Sequence, residues 1–214
     1  MRKGLRIIAP LLPAAFAIGA SFGVLARASH FSALAAIVMS ATTFAGSSQV
    51  AAASILGAGG GIAAAVLAAL LLNLRYTPMG VTVAQSFHGL SVWRRLGEAQ
   101  LLVDESWALA GGGTPRFDRR MMLGMGAAMW CAWVGGTAAG AVLGSVVSDV
   151  SAFGLDGAFA ALFLALLVAQ VTNRRALAAA VLGAAIAAAL TPLTPPGVPI
   201  IAATAAVLVG WKRA

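Results

Sequence analysis

The chain has 214 residues, 61% of them hydrophobic and 9% charged, with a mean hydropathy of +0.95. A soluble domain carries about 25% charged residues, so the composition excludes a water-facing globule and predicts an all-α integral membrane protein, a polytopic helical bundle. The net charge of +8, from 14 Lys and Arg against 6 Asp and Glu, gathers in clusters between apolar runs. Cytoplasmic loops have that pattern, so the charge reports topology and not a nucleic-acid partner.

Crossing the hydrocarbon core takes about 20 apolar residues. Candidate spans in chain order are 7–26, 31–56, 60–83, 121–147, 153–171, 176–191 and 197–211, read as one integral membrane domain over residues 1–214. The first follows Arg2, Lys3 and Arg6 and is longer than the apolar core of a signal peptide, so it reads as an uncleaved helix. Small-residue spacings recur at Gly19/Gly23, Gly57/Gly61 and Gly136/Gly140/Gly144. They suit close helix approach, although a chain this rich in Ala and Gly produces such spacings by chance too.

The second half threads without conflict. Arg116, Arg119 and Arg120 lie inside, 148–156 outside, Arg174 and Arg175 inside, the proline-rich 191–199 outside, and Lys212 and Arg213 inside. The first half does not. Arg2–Arg6 and Arg94–Arg95 both belong inside, yet the apolar segments between them are odd in number. Either one segment is broken and doubles back, or Arg94 and Arg95 violate the charge rule.

Two stretches invite a break: "TTFAGSSQV" (42–50) and "NLRYTPMG" (73–80). Pro78 removes a helix hydrogen bond and disfavours helical backbone at Thr77. Irregular backbone at membrane depth persists only when covered by protein or lining a wet cavity, so both breaks point inward. Gly46, Ser47, Ser48 and Gln49 then become candidate substrate-binding groups at a half-helix N-terminus, where free N–H groups favour anions. The alternative is that these small hydroxyls pack helices or bond their own backbone.

Asn73 and Arg75 are the second candidate group. An arginine at the helix centre costs roughly 2.5–3.5 kcal/mol on insertion scales, so Arg75 needs a cavity or a partner. It either grips a substrate carboxylate with its planar fork or forms a structural salt bridge. Asp104 and Glu105, within the short charged segment 98–110, are the candidates for that ion pair or for proton coupling. The segment itself is too short to span and reads as an interfacial helix, or one tucked against the bundle. His30 and His88 read as polar surface, and the single Cys131 as a small buried thiol. HExxH and Walker patterns are missing from the sequence, and neither enzyme chemistry nor a metal or other cofactor is expected.

With "FAGSSQ" (44–49), "LLNLRYTPMG" (71–80) and "LLVDESWAL" (101–109) in this order, the chain resembles the AzlC family, the large subunits of bacterial branched-chain amino acid exporters. The early "PAAFAIGASFGVLA" (13–26) is similar to that family's Gly/Pro-rich first helix. The resemblance is strongest over the first 110 residues. It implies export of leucine, isoleucine and valine, sometimes methionine, across the inner membrane beside a small AzlD-like membrane subunit. The rival expectation is a non-transporting structural or assembly subunit of a membrane complex.

Overall fold

A computed structural model describes residues 2–111, 117–146, 164, 167, 168, 171, 173–195 and 197–206. Every element among the described residues is helical. In chain order they are α1 (Arg2–Ile8), α2 (Leu12–Ala28), α3 (Ala33–Thr43), α4 (Gly46–Gly57), α5 (Ile62–Asn73), α6 (Tyr76–Val83), α7 (Val92–Ala99), α8 (Asp104–Leu109), α9 (Arg119–Val146), α10 (Arg174–Leu190) and α11 (Val198–Ala203). A 3-10 turn at Ala9–Leu11 joins α1 and α2 into one apolar helix, Lys3–Ala28.

That helix and Arg119–Gly144 are each long and apolar enough to cross a membrane, and α5 with α6, bent by 41° at a break, is long and apolar enough when the pair is taken as one span. Candidate spans 7–26, 60–83 and 121–147 fall on these three stretches. Segment 176–191 falls within α10, whose N-cap Asn173 accepts from the amides of Arg175 and Ala176. Segment 197–211 is described only to residue 206, as α11 and a 3-10 turn. The loop 148–156, most of 153–171, Arg116 and Lys212–Arg213 lie outside the described residues.

The long contact of the fold is α2 against α9. A Cβ added at Gly19 would overlap the carbonyl of Trp133, and one at Gly23 the carbonyl of Thr137. From the other side, a Cβ at Gly136 or Gly140 would overlap the carbonyls of Phe16 or Ala20. Backbone therefore meets backbone, the arrangement by which helices gain dispersion energy in lipid, where apolar burial offers no drive. Of the glycine spacings, Gly19/Gly23 and Gly136/Gly140/Gly144 are the interface. Gly61 faces open space.

These contacts advance together along both chains, from Gly4 on Met121 through Gly19 on Trp133 to Gly144 beside Arg27. The two helices are parallel. Lys3, Arg6, Arg119 and Arg120 consequently share one end, which the positive-inside rule makes cytoplasmic.

Between them sits a segment that never crosses. Helix α3 has 11 residues, about 16 Å at 1.5 Å per residue, or half the hydrocarbon core. It ends at Phe44, whose φ of 44° and ψ of 46° are left-handed, and Ala45 is extended. The chain then reverses. The Gln49 amide donates to Ser40 Oγ across the break at 2.9 Å, and Gly57, at the far end of α4, lies against Ser29, which closes α2. The tip itself is halfway along α9: Trp130 Nε1 donates to the Ala41 carbonyl at 2.9 Å, and the Trp133 ring rests on Gly46.

Segment 31–56 is therefore a re-entrant hairpin entered from the outer side, and this removes the threading conflict. The first helix runs out, the hairpin returns to the outer end, and α5–α6 runs in. At its inner end the Phe87 ring lies 5.7 Å from the Arg119 guanidinium. Arg94 and Arg95 obey the charge rule.

The segment 98–110 is not one helix. Ser91 Oγ accepts from Arg94 N to start α7 at Val92, so Arg94 and Arg95 are helical residues. The chain turns at 100–103 before α8. Glu98 is held between Arg119 Nη2 at 2.7 Å and Arg94 Nε at 3.0 Å. Hydrogen bonding from Arg119 keeps the Glu98 carboxyl below the usual glutamate range, desolvation opposes it, and hydrogen bonding from Arg94 adds to the lowering. With Glu98 turned to the bundle, Val92, Trp93 and Leu96 are exposed, as in an interfacial helix. Cys131 is exposed on α9, not buried, because the glycine-lined face of α9 is turned to α2.

Cysteine labelling checks the hairpin. In a Cys131→Ser background, Ala58→Cys should react with an impermeant maleimide from outside, and His88→Cys only after permeabilisation. Internal labelling at 58 would make 31–56 a full crossing.

Candidate functional site

A helix N-terminus leaves its first amides without intrahelical partners, and a side-chain oxygen usually supplies one. Helix α4 begins at Gly46 with Ala45 as N-cap and no side-chain cap bond. That start is inside the protein, with Phe44, Ala45, Ser48 and Gln49 all buried.

Gln49 holds the tip together. Its Oε1 accepts from Ala45 N at 3.1 Å and its Nε2 donates to Ser40 Oγ at 2.9 Å. Ser40 Oγ shares a hydrogen bond of 2.8 Å with Thr137 Oγ1, which also donates to the Trp133 carbonyl at 3.0 Å. One buried chain of polar groups thus ties α4 to α3 and α9. Ser48 Oγ donates to the Ala45 carbonyl at 2.9 Å. Gln49 and Ser48 are satisfied by the protein itself.

Ser47 is different: its Oγ is buried and has no hydrogen-bond partner, and the same holds for Asn73 Oδ1 and Trp133 Nε1. Helices α4 and α5 pack as a hairpin around the turn at 58–61. Residues equidistant from that turn lie side by side, which sets Asn73 level with Gly46. That level holds residues from two of the sequence boxes.

The third box joins through Arg75. Its Nη2 lies 3.1 Å from Asp104 Oδ2 and donates to Tyr76 Oη at 3.1 Å, with the guanidinium 5.0 Å from the Tyr76 ring centroid. Asp104 opens α8, where a carboxylate also suits the positive helix end. Glu105 is exposed. Gln100 Nε2 donates to the Thr42 carbonyl at 2.7 Å, and Trp107 Nε1 to Thr82 Oγ1 at 3.0 Å, so the α7–α8 region is fastened to both breaks.

Sequence reasoning missed Ser40, Thr137, Trp133 and Ser106. The buried Ser106 hydroxyl accepts from Val103 N at 3.0 Å and donates to the Leu101 carbonyl at 2.9 Å, closing the start of α8. A Ser or Thr within an apolar span is the signal that was available for Ser40 and Thr137.

Farther out on α4, Ser54, Ile55 and Ala58 line an open crevice of about 280 Å³ with Thr191, Thr194 and Pro199. Among the described residues, no group of three or more His, Cys, Asp or Glu is placed to hold a metal ion.

Crossing helices around a hairpin that stops halfway, with polar groups at its tip, make this a multi-pass inner-membrane protein built on transporter lines. A family model described as AzlC protein matches residues 10–147, a stretch that includes all three boxes. The chain belongs to the AzlC family, whose members are transporters and not enzymes. It is also similar to an "Uncharacterized membrane protein" of Archaeoglobus fulgidus, 34% identical over 218 residues that cover 98% of this chain and 94% of the relative. No solved structure matches the chain.

Replacing Gln49 by leucine strands Ala45 N inside the protein and leaves Ser40 Oγ with Thr137 alone. A buried group left unsatisfied costs about 1–3 kcal/mol, so Gln49→Leu should lower the unfolding midpoint of the detergent-solubilised protein. An unchanged midpoint would remove the hairpin clasp from the account.

Proposed function

We propose that this AzlC-family transporter exports branched-chain amino acids, leucine, isoleucine and valine, across the inner membrane together with a small AzlD-like membrane subunit. The observation that supports this reading is the hairpin tip, where an uncapped helix start and unbonded Ser47 and Asn73 oxygens lie among apolar side chains. A zwitterion with an aliphatic side chain complements such a site. Its ammonium group meets Ser47 Oγ and Asn73 Oδ1, its carboxylate meets the first amides of α4 at Gly46, Ser47 and Ser48, and Phe44 and Val50 form the apolar wall. Gln49 positions the tip through its hydrogen bonds.

Arg75 belongs to this mechanism as the partner of Asp104. With the guanidinium occupied, the pair fastens the α5–α6 break to α8 on the cytoplasmic side of the tip, and Glu105 lies beside it in sequence. Opening toward the cytoplasm then requires the pair to separate, which makes Asp104 the site where a proton would couple to transport. The sequence carries no ATP-binding motif, so export runs on an ion gradient or on the substrate gradient.

The test is loss of labelled leucine from preloaded cells that co-express a candidate small subunit. Leucine efflux should exceed that of cells lacking this chain, and equal efflux would end the reading. Within the same assay, Arg75→Ala leaves Asp104 unpaired and should reduce both membrane abundance and export, while Arg75→Ala with Asp104→Ala should recover abundance. Leucine affinity within about threefold of wild type in that double variant fits an ion pair. A loss of roughly ten- to a hundredfold, the value of a charge-assisted hydrogen bond, would instead give Arg75 the substrate carboxylate.

A further inference from the structure

A buried indole N–H normally finds an acceptor, and two tryptophans of this fold obey that rule. Trp130 Nε1 donates to the Ala41 carbonyl and Trp107 Nε1 to Thr82 Oγ1. Trp133 does not. It is 8% exposed, and its Nε1 has no partner. Its position is fixed from behind: the Trp133 carbonyl accepts from Thr137 Oγ1, and α2 approaches it at Gly19. Its ring lies against the start of α4, where a Cβ on Gly46 would come within 2.6 Å of Cη2.

The ring of an indole whose N–H is unbonded therefore adjoins the uncapped start of α4, which is the positive end of that helix's dipole. Both call for an anion. The nearby arginine does not compete, since Arg75 is taken by Asp104 and Tyr76. We infer that Trp133 is a substrate-contact residue, and that its indole N–H and the α4 N-terminus together bind the carboxylate of the amino acid. This rests on the reading above that the tip holds an amino acid, and it assigns the group that selects ligands bearing an α-carboxylate. It also explains Gly46, because any side chain there would push the ring off the helix start.

The experiment compares three ligands on purified protein by equilibrium binding: leucine, 4-methylpentanoate, which keeps the carboxylate but lacks the amine, and isopentylamine, which keeps the amine but lacks the carboxylate. Trp133→Phe preserves a six-membered ring against Gly46 and removes the N–H. The affinities for leucine and 4-methylpentanoate should fall about ten- to a hundredfold, with isopentylamine binding unchanged. Benzothienylalanine incorporated at position 133, which replaces N–H by sulfur in a ring of the same shape, should give the same pattern and serves if the phenylalanine variant does not accumulate. Equal losses for all three ligands, or leucine affinity within twofold of wild type, would overturn the inference. Failure of the wild-type protein to bind any of the three overturns the parent reading, and this inference falls with it.

Discussion

The close approach of α2 and α9 is the constraint on which the other elements depend. In lipid two apolar helices gain nothing by hiding from their solvent, so a stable pair must come near enough for backbone atoms to attract one another. Gly19 and Gly23 on one side and Gly136 and Gly140 on the other permit this, each clearing room for a carbonyl of the opposite helix. Because the pair is parallel, the chain between the two helices must return from the outer end to the inner one. That requires a net single crossing from an amount of apolar sequence sufficient for two. The hairpin α3–α4 absorbs the excess.

Stopping a helix halfway through the bilayer creates a problem that most of the polar chemistry addresses. Backbone groups at that depth have no water to bond, and each helix end exposes several. The Gln49–Ser40–Thr137 chain answers part of the demand and anchors the tip to α9. It leaves unanswered the first amides of α4, Ser47 Oγ, Asn73 Oδ1 and Trp133 Nε1.

Much of this was visible in the sequence because membrane chains obey few and strong rules. Apolar length located the crossing helices, clusters of arginine marked one side, and the parity conflict around Arg94 and Arg95 narrowed the choice to a doubled-back segment or a breach of the charge rule. "FAGSSQ" identified the break since glycine and hydroxyl residues have little reason to interrupt an apolar run. Pairings across long separations were not legible. Nothing local distinguishes Thr137 from any other threonine in a span, and its partner Ser40 stands 97 residues away. Cys131 misled for a related reason: burial statistics come from proteins in water, and in a bilayer an apolar thiol is equally at home facing lipid. Asp104 and Glu105 stood out together as candidate partners for Arg75 because so few acids exist in the chain, and Asp104 Oδ2 lies 3.1 Å from Arg75 Nη2.

The tip of the hairpin also sets an order of events during synthesis. Ribosomes release the chain from its N-terminus, so α3 and α4 emerge long before Trp130, Trp133 and Thr137. Each half is too short to lodge across the bilayer by itself, and the hydroxyls and amides at the turn have no partners to receive them until α9 arrives. The nascent hairpin must therefore wait at the membrane surface while α5 through α8 are made, and it docks only when the second glycine-faced helix slides against the first. The hairpin tip is assembled last, although its residues are translated early, and a ribosome that stalls before residue 119 leaves a chain with apolar helices and no seat for the tip.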